Sequence, residues 1–233
     1  MTYTREELFE GVRTLLDRNV ADDGLSVLSD DDTLSVDGLV AKTFLPAVRH
    51  ILDRAPMLLI DTLRSLAGDG RASLIEQETG ADGMTRYLYS APLDCLRIAR
   101  VRMGSWKRDG LIVDEGSDTA RQQVDSFPGV RGTPWKPVVV VRRQGEWTDD
   151  LTAFSTFGIT FECFSSDTTS DVLQSGSYVA MPAFDDEGVI DLPEHLLDAI
   201  EHYAASMVAG TLNDFDAMKR LRSEAGALMR REE

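Results

Sequence analysis

The sequence predicts an α+β fold with helical ends and a strand-rich middle. Three features of its 233 residues predict it. Apolar residues recur at three- and four-residue spacing near both ends of the chain, as on one face of a helix. From about Thr85 to Met181 the pattern becomes short β-branched and aromatic runs punctuated by turn residues. A hydrophobic content of 42% is enough to build a core around both kinds of element.

Thr4 and Glu7 have the spacing of a capping box, in which each side chain satisfies an orphan amide of the first helical turn. Leu8, Phe9, Val12, Leu15 and Leu16 then share a face, and the first helix is expected to end near Arg18. Residues 21–37 contain Asp22, Asp23, Asp30, Asp31, Asp32 and Asp37 and no basic residue, which reads as an acidic loop or linker. Its resemblance to a calcium-binding loop is superficial, because the glycine and the terminal glutamate are misplaced. A second helix is expected from Asp37, with an apolar stripe of Leu39, Val40, Thr43, Phe44, Val48, Ile51 and Leu52. Pro46 predicts a kink or restart inside it, since an interior proline removes a hydrogen bond and costs about 3 kcal/mol. Pro56 marks its end, and residues 57–66 are expected to add a helical turn or two.

Strands are expected from Thr85 onward: around Tyr87 to Tyr89 and Leu96 to Met103, then over 110–114, 137–143, 158–164 and 177–181. Residues 125–137 carry prolines and glycines and read as an irregular loop. Two amphipathic helices close the chain over 189–229. Asp191 stands at the start of the first, with Pro193 where a missing amide hydrogen does no harm. Leu196, Leu197, Ile200, Tyr203, Ala204, Met207 and Val208 form its apolar face, and Gly210 closes it. Asn213 or Asp214 caps the last helix, whose stripe is Ala217, Met218, Leu221, Ala225, Leu228 and Met229. Its opposite side carries Lys219, Arg220, Arg222, Arg230 and Arg231, a basic stripe in an acidic protein that suits docking to an acidic partner.

A formal net charge of -16 argues against binding phosphate backbones, because sequence-independent nucleic-acid affinity comes from Lys and Arg. A surface past which DNA must move without sticking would share that acidity. The start of the chain lacks the basic-then-apolar pattern of a signal peptide, and no apolar run approaches the roughly 20 residues that span a bilayer. A soluble protein made in the cytoplasm is therefore expected. Cys95 and Cys163 have no CxxC partner and read as buried thiols.

Candidate chemistry is sparse. His50, His195 and His202 fall in predicted helices, but a zinc site needs three or four convergent ligands and HExxH is absent. The phosphate-binding GxxxxGK[ST] loop, the dinucleotide GxGxxG turn and the GxSxG nucleophile elbow are absent too. No catalytic, cofactor or metal residues are assigned. A second basic cluster, Arg97, Arg100, Arg102, Lys107 and Arg108 with Trp106 among them, reads as a hairpin-like patch. Such a patch suits a protected strand edge, an inter-subunit contact or a surface facing DNA.

The N-terminal helix TREELFEGVRTLLDR, the helix LVAKTFLPAVRHILDRAP, the strand entry YLYSAPLDCLRIARVRMGSWKRDG and the ending VIDLPEHLLDAIEHYAASMVAG plus DFDAMKRLRSEAGALM, taken in order, resemble the head-to-tail connector (adaptor) proteins of tailed bacteriophages, the tail tubular protein A group. The resemblance implies a helical bundle built from residues 1–70 and 189–233, with a β-rich insertion over 85–182. It also implies a structural, non-enzymatic protein that forms a ring, a dodecamer in the virion, beneath the portal and above tail proteins, with DNA passing through the centre. The large strand-rich middle departs from the simplest members of that group. Competing classes are another ring-forming tail or baseplate component and a small enzyme of unrecognised type.

Overall fold

A computed structural model describes residues 1–20, 36–68, 71–80, 83–125, 127–144, 158–166 and 170–230. The acidic run of Asp22, Asp23, Asp30, Asp31 and Asp32 lies outside the described residues, as does Arg231. The fold is mixed α+β. In chain order it comprises β1 (Thr2–Thr4), α1 (Arg5–Val20), α2 (Val36–Arg54), β2 (Leu63–Ser65), β3 (Ser73–Thr79), β4 (Thr85–Ser90), β5 (Cys95–Met103), β6 (Leu111–Asp114) and α3 (Asp118–Gln123). Then come β7 (Val138–Gln144), β8 (Gly158–Ser166), β9 (Leu173–Ala180), β10 (Val189–Asp191), α4 (Leu197–Thr211) and α5 (Phe215–Leu228). The chain divides into two compact units. One is Met1–Thr62 with Met181–Glu233, and the other is Leu63–Ala180.

In the first unit the two chain segments are joined by a strand pair absent from the sequence expectation. β1 runs antiparallel to β10 with Tyr3 opposite Ile190, and the Met1 amine donates to the Leu192 carbonyl at 2.9 Å. Asp191 therefore belongs to a strand rather than a helix start. A single 3-10 turn, Glu194–Leu196, comes after Pro193, and α4 begins only at Leu197. Three-residue strands carry too little alternation to read from sequence; their pairing partner defines them.

α1 starts on the expected capping box, with Thr4 N–H donating to Glu7 Oε2 at 2.9 Å and Glu7 N–H to Thr4 Oγ1 at 3.3 Å. The Thr4 N–H and the Thr4 hydroxyl, both donating to Glu7 Oε2, hold the Glu7 carboxyl below its ordinary range. The helix buries Leu8, Phe9, Val12 and Leu16 and runs to Val20, slightly past the predicted end. α2 is continuous through Pro46, so the helix does not restart there. Pro46 and Lys42, whose carbonyl loses its bond, both face solvent, while Leu39, Val40, Phe44, Ala47, Val48, Ile51 and Leu52 are buried. Burial of that face, at about 1.5–3 kcal/mol for each large side chain, outweighs the roughly 3 kcal/mol cost of the proline. Phe9 and Phe44 (5.7 Å between ring centroids) meet Phe184 from the returning chain, and the Arg5 guanidinium lies 4.7 Å over the Phe184 ring.

α4 packs against α1, α2 and α5. Ala199, Ile200, Ala204, Ala205, Ser206, Val208 and Ala209 are buried, and this small-residue composition lets neighbouring helices approach. α1 comes so close at Gly11 that a Cβ there would stand 2.2 Å from Glu201 Oε1. Asp214 accepts from Ala217 N–H at 3.0 Å and caps α5, as one of the two expected positions.

The second unit contains two sheets, β2-β9-β5 and β3-β4-β8-β7-β6, antiparallel except that β6 runs parallel to β7. Their main core includes Leu66, Tyr87, Tyr89, Ile98, Val101, Met103, Val139, Phe161 and Tyr178. Strands begin before the predicted Thr85. β3 is an edge strand exposed along its whole length, so SLIEQET needs no alternation, and β2 comes after a 3-10 turn confined to Met57–Leu59. α3 was not expected; Ser117 Oγ accepts from Ala120 N–H at 3.1 Å, and the helix covers Val138, Val140 and Phe164 on the outer face of the larger sheet. Within residues 125–137 a 3-10 turn (Pro128–Val130) and a Thr133–Lys136 bridge add local order. Cys95 and Cys163 are buried. Burial, with Asp94 adding, raises the Cys95 thiol to about 12, and burial takes Cys163 well above its usual range.

Burial, reinforced by Asp198, pushes the Glu201 carboxyl up from 4.5 to about 7. A carboxyl raised in the folded state contributes its full stability below about pH 4.5 and loses it as pH rises through about 7. Glu201→Gln is therefore expected to stabilise the protein at pH 8 by about 1–2 kcal/mol, discounted for partial solvent exposure, and by less at pH 5. Urea melts of both proteins at the two pH values check this; an equal gain at both would contradict it.

Candidate interaction surfaces

The basic stripe of α5 forms as predicted over its described part. Lys219, Arg220, Arg222 and Arg230 are exposed, while Ala217, Leu221 and Ala225 are buried on the opposite side. Arg222 is engaged within the protein. Its guanidinium lies 5.5 Å from the centroid of Tyr203, whose ring stacks on His50 at 4.2 Å with an interplanar angle of 11°. Burial and the nearby Arg54 and Arg222 lower the His50 imidazole below its usual range. His202 instead bonds the Asp198 carbonyl and approaches Glu224 at 3.6 Å. Among the described residues no three His, Cys, Asp or Glu side chains are grouped to hold a metal ion. No described helix is long and apolar enough to cross a membrane.

The second basic cluster divides differently from the expectation. β5 lies at the edge of the three-stranded sheet, and its register against β9 shifts between Cys95 and Arg97, Ile98 and Arg100, and Arg102 and Met103. Each extra residue reverses the in-out parity of the strand beyond it. The first two shifts add a residue to β5 and the third adds one to β9, so Ile98, Val101 and Met103 all reach the core, with Arg97, Arg100 and Arg102 on the other side. Arg100 pairs with Asp109 at 2.7 Å. Lys107 and Arg108 are exposed in the turn after β5. Trp106 is not part of this surface: it is 1% exposed in the core, against Gly110, where a Cβ would stand 2.7 Å from the indole. The Lys/Arg-rich context suggested an exposed ring. The turn after β5 instead folds the indole inward, where it cannot stack on a base.

A larger charged feature escaped the sequence reading. On the outer face of the five-stranded sheet, Glu78, Arg86, Glu162, Arg142 and Glu115 alternate in sign across β3, β4, β8, β7 and the residue after β6. Glu162 is central, with a side chain only 5% exposed; Arg86 Nη1 lies 3.0 Å from its Oε1 and Arg142 Nη2 2.9 Å from its Oε2. Arg86 also bonds Glu78, and Arg142 Nε lies 3.2 Å from Glu115. A buried carboxylate needs such partners, and two guanidiniums supply them. The sequence signal was Glu162 between Phe161 and Cys163, an ionisable residue inside an apolar strand. Another node closes the turn after β5, where Ser105 N–H and Oγ donate to the buried Asp171 carboxylate, the latter at 2.6 Å.

Glu162→Ala leaves Arg86 and Arg142 facing each other without the intervening charge. The expected loss is about 3 kcal/mol of stability, partly recovered when both arginines are also replaced by leucine. Denaturant melts of the single and triple variants test this coupling; a single variant within 0.5 kcal/mol or so of wild type would remove the network from the stability account. No family model matches the chain, and neither does any curated protein or solved structure.

Proposed function

We propose that the chain is a head-to-tail adaptor subunit of a tailed bacteriophage, a structural virion protein and not an enzyme. In this reading a helical bundle built from both chain ends carries an inserted β-rich domain. The subunits form a ring, a dodecamer in the virion, beneath the portal and above the tail proteins. The observation that carries the reading is the division of the chain, in which α1 and α2 share one compact unit with α4 and α5 while the intervening strands form another. The order of segments and the exposed basic side of α5 support it, and the net charge of -16 suits a channel that must release DNA.

Ring assembly joins two different surfaces of the same subunit, repeated around a closed axis. The outward arginines of β5 with Lys107 and Arg108 are offered as one such surface or as a DNA-facing one, without Trp106. Lys219 and Arg220 of α5 and Arg230 just beyond it are the portal-docking candidates, whereas Arg222 also serves the Tyr203 contact inside the unit.

Negative-stain images of the purified protein mixed with portal rings are expected to show a second ring stacked on the portal. Reversing Lys219, Arg220 and Arg230 to glutamate should reduce co-purification with the portal at least tenfold while circular dichroism stays unchanged. Undiminished co-purification would remove α5 from the docking surface, and absence of any stacked ring with wild-type protein would overturn the adaptor reading.

A further inference from the structure

The two edges of the five-stranded sheet carry exposed surfaces of complementary chemistry. At one edge β3 pairs with β4 on one side only, and all of its residues from Ser73 to Thr79 are exposed. Leu74 and Ile75 are 51% and 56% exposed, a short apolar strip. Beside it Glu76 and Glu78 stand opposite Leu88 and Arg86 of β4, and Glu78 is bonded to Arg86. Carboxylates and the bulge at Ile75 guard this edge against a copy of itself, because like charges would meet. A basic surface would meet no such repulsion.

The other edge is β6, and the two turns beside its start are basic and apolar. Lys107 N–H donates to the Pro134 carbonyl at 2.9 Å, which ties the turn after β5 to the turn over Thr133 to Lys136. Leu111 N–H donates to the Pro137 carbonyl at 2.9 Å and ties both to the edge strand. The second turn is closed by Lys136 N–H on the Thr133 carbonyl at 2.8 Å and Thr133 N–H on the Lys136 carbonyl at 3.2 Å. Trp135 in that turn is 69% exposed, and Leu111 is 58% exposed. Lys107, Arg108 and Lys136 are exposed and form no ion pair among the described residues, while the nearby Asp109 is paired with Arg100. Large aromatic and cationic side chains held in a fixed frame are the composition of a protein interface.

Strand register sets the two surfaces at the same end of the sheet. Glu78 is opposite Arg86, and the next residue of β4, Tyr87, is opposite Cys163. After Cys163, Phe164 is opposite Val138, and Val138 is opposite Leu111. The acidic and basic surfaces are therefore level, roughly 19 Å apart at about 4.8 Å per strand. Glu115 lies past the far end of β6 and does not spoil the basic surface.

We infer that these edges are the two halves of one self-association interface, in which the Trp135 turn and its three cations dock against the β3 edge of the next copy. The partner is a second copy because one chain carries both halves, each with two exposed apolar side chains and charges of opposite sign. Side chains make the contact, without extending the ladder. Its two surfaces differ, so it is heterologous and repeats from copy to copy. This deepens the ring reading, on which it rests for closure, by naming both surfaces.

Sedimentation velocity of the full chain from micromolar to near-millimolar concentration tests the proposal. The wild-type sedimentation coefficient is expected to rise with concentration. A variant carrying Lys107→Glu, Arg108→Glu and Lys136→Glu should associate at least tenfold more weakly, with unchanged circular dichroism. The same is expected of Ile75→Lys with Glu76→Lys, which leaves the bond between Glu78 and Arg86 in place, and of Trp135→Ala. Mixing the two charge-reversed variants should restore association, because the mixture offers one native pair of edges and one with both charges reversed. Undiminished association in either variant, no recovery in the mixture, or a wild-type monomer at every concentration would each overturn the proposal. A ring stacked on the portal alongside any of these results leaves the adaptor reading in place with a different subunit contact. Self-association as expected with no stacked ring overturns the adaptor reading alone.

Discussion

In the first unit the governing constraint is the covering of α4. It packs against α1, α2 and α5, and its residues between Ala199 and Ala209 are buried on more than one side. Helix axes approach closely only where side chains are small, which is why alanines dominate this stretch and why Gly11 of α1 stands opposite Glu201. The remaining features of the unit depend on that packing. α2 stays helical through Pro46 because its buried face is held in place, and the Phe9–Phe44–Phe184 group closes the side where the chain returns. The pairing of β1 with β10 then fixes where the two segments meet.

The second unit rests on a different constraint, the neutralisation of Glu162 in a strand with neighbours on both sides. β8 lies between β4 and β7, and Glu162 is on the opposite face from Phe161 and Cys163 of the main core. Arg86 and Arg142 meet it diagonally across the strands, so a one-residue slip of either neighbour would withdraw its arginine and send core side chains to the wrong face. Polar pairing and apolar burial therefore specify the same register. The alternating series ends in a carboxylate at each edge of the sheet, Glu78 and Glu115, and like charges there discourage one sheet from continuing into another.

Legibility tracked the length of the repeating pattern. The capping box at Thr4 and Glu7, the apolar faces of α1, α2 and α5, and the strands over 137–143 and 158–164 were readable because each repeats over several residues. β1, β2 and β10 were not, since three residues hold less than two periods of alternation. β3 was missed for another reason: an edge strand exposed on both faces has no burial to pattern it. Among the candidate surfaces, the α5 stripe was set directly by helical spacing. Trp106 misled, because charged neighbours in the sequence do not reveal that the turn after β5 folds back over the core.

By itself the sequence determined the mixed α+β class, the long helices, the central strands and the buried thiols, because these depend on composition and local periodicity. Tertiary structure alone decided where the units divide, at Thr62 and Ala180, that Asp191 is in a strand, and that two bulges of β5 send its arginines outward. It also brought Glu162 between two arginines and Ser165 against Gly132, pairs drawn from positions far apart in the chain. The physical reason is common to all of these. Hydrogen bonding along a helix is local and leaves a repeating trace in the sequence, whereas strand pairing, charge neutralisation and cavity formation depend on distant residues meeting.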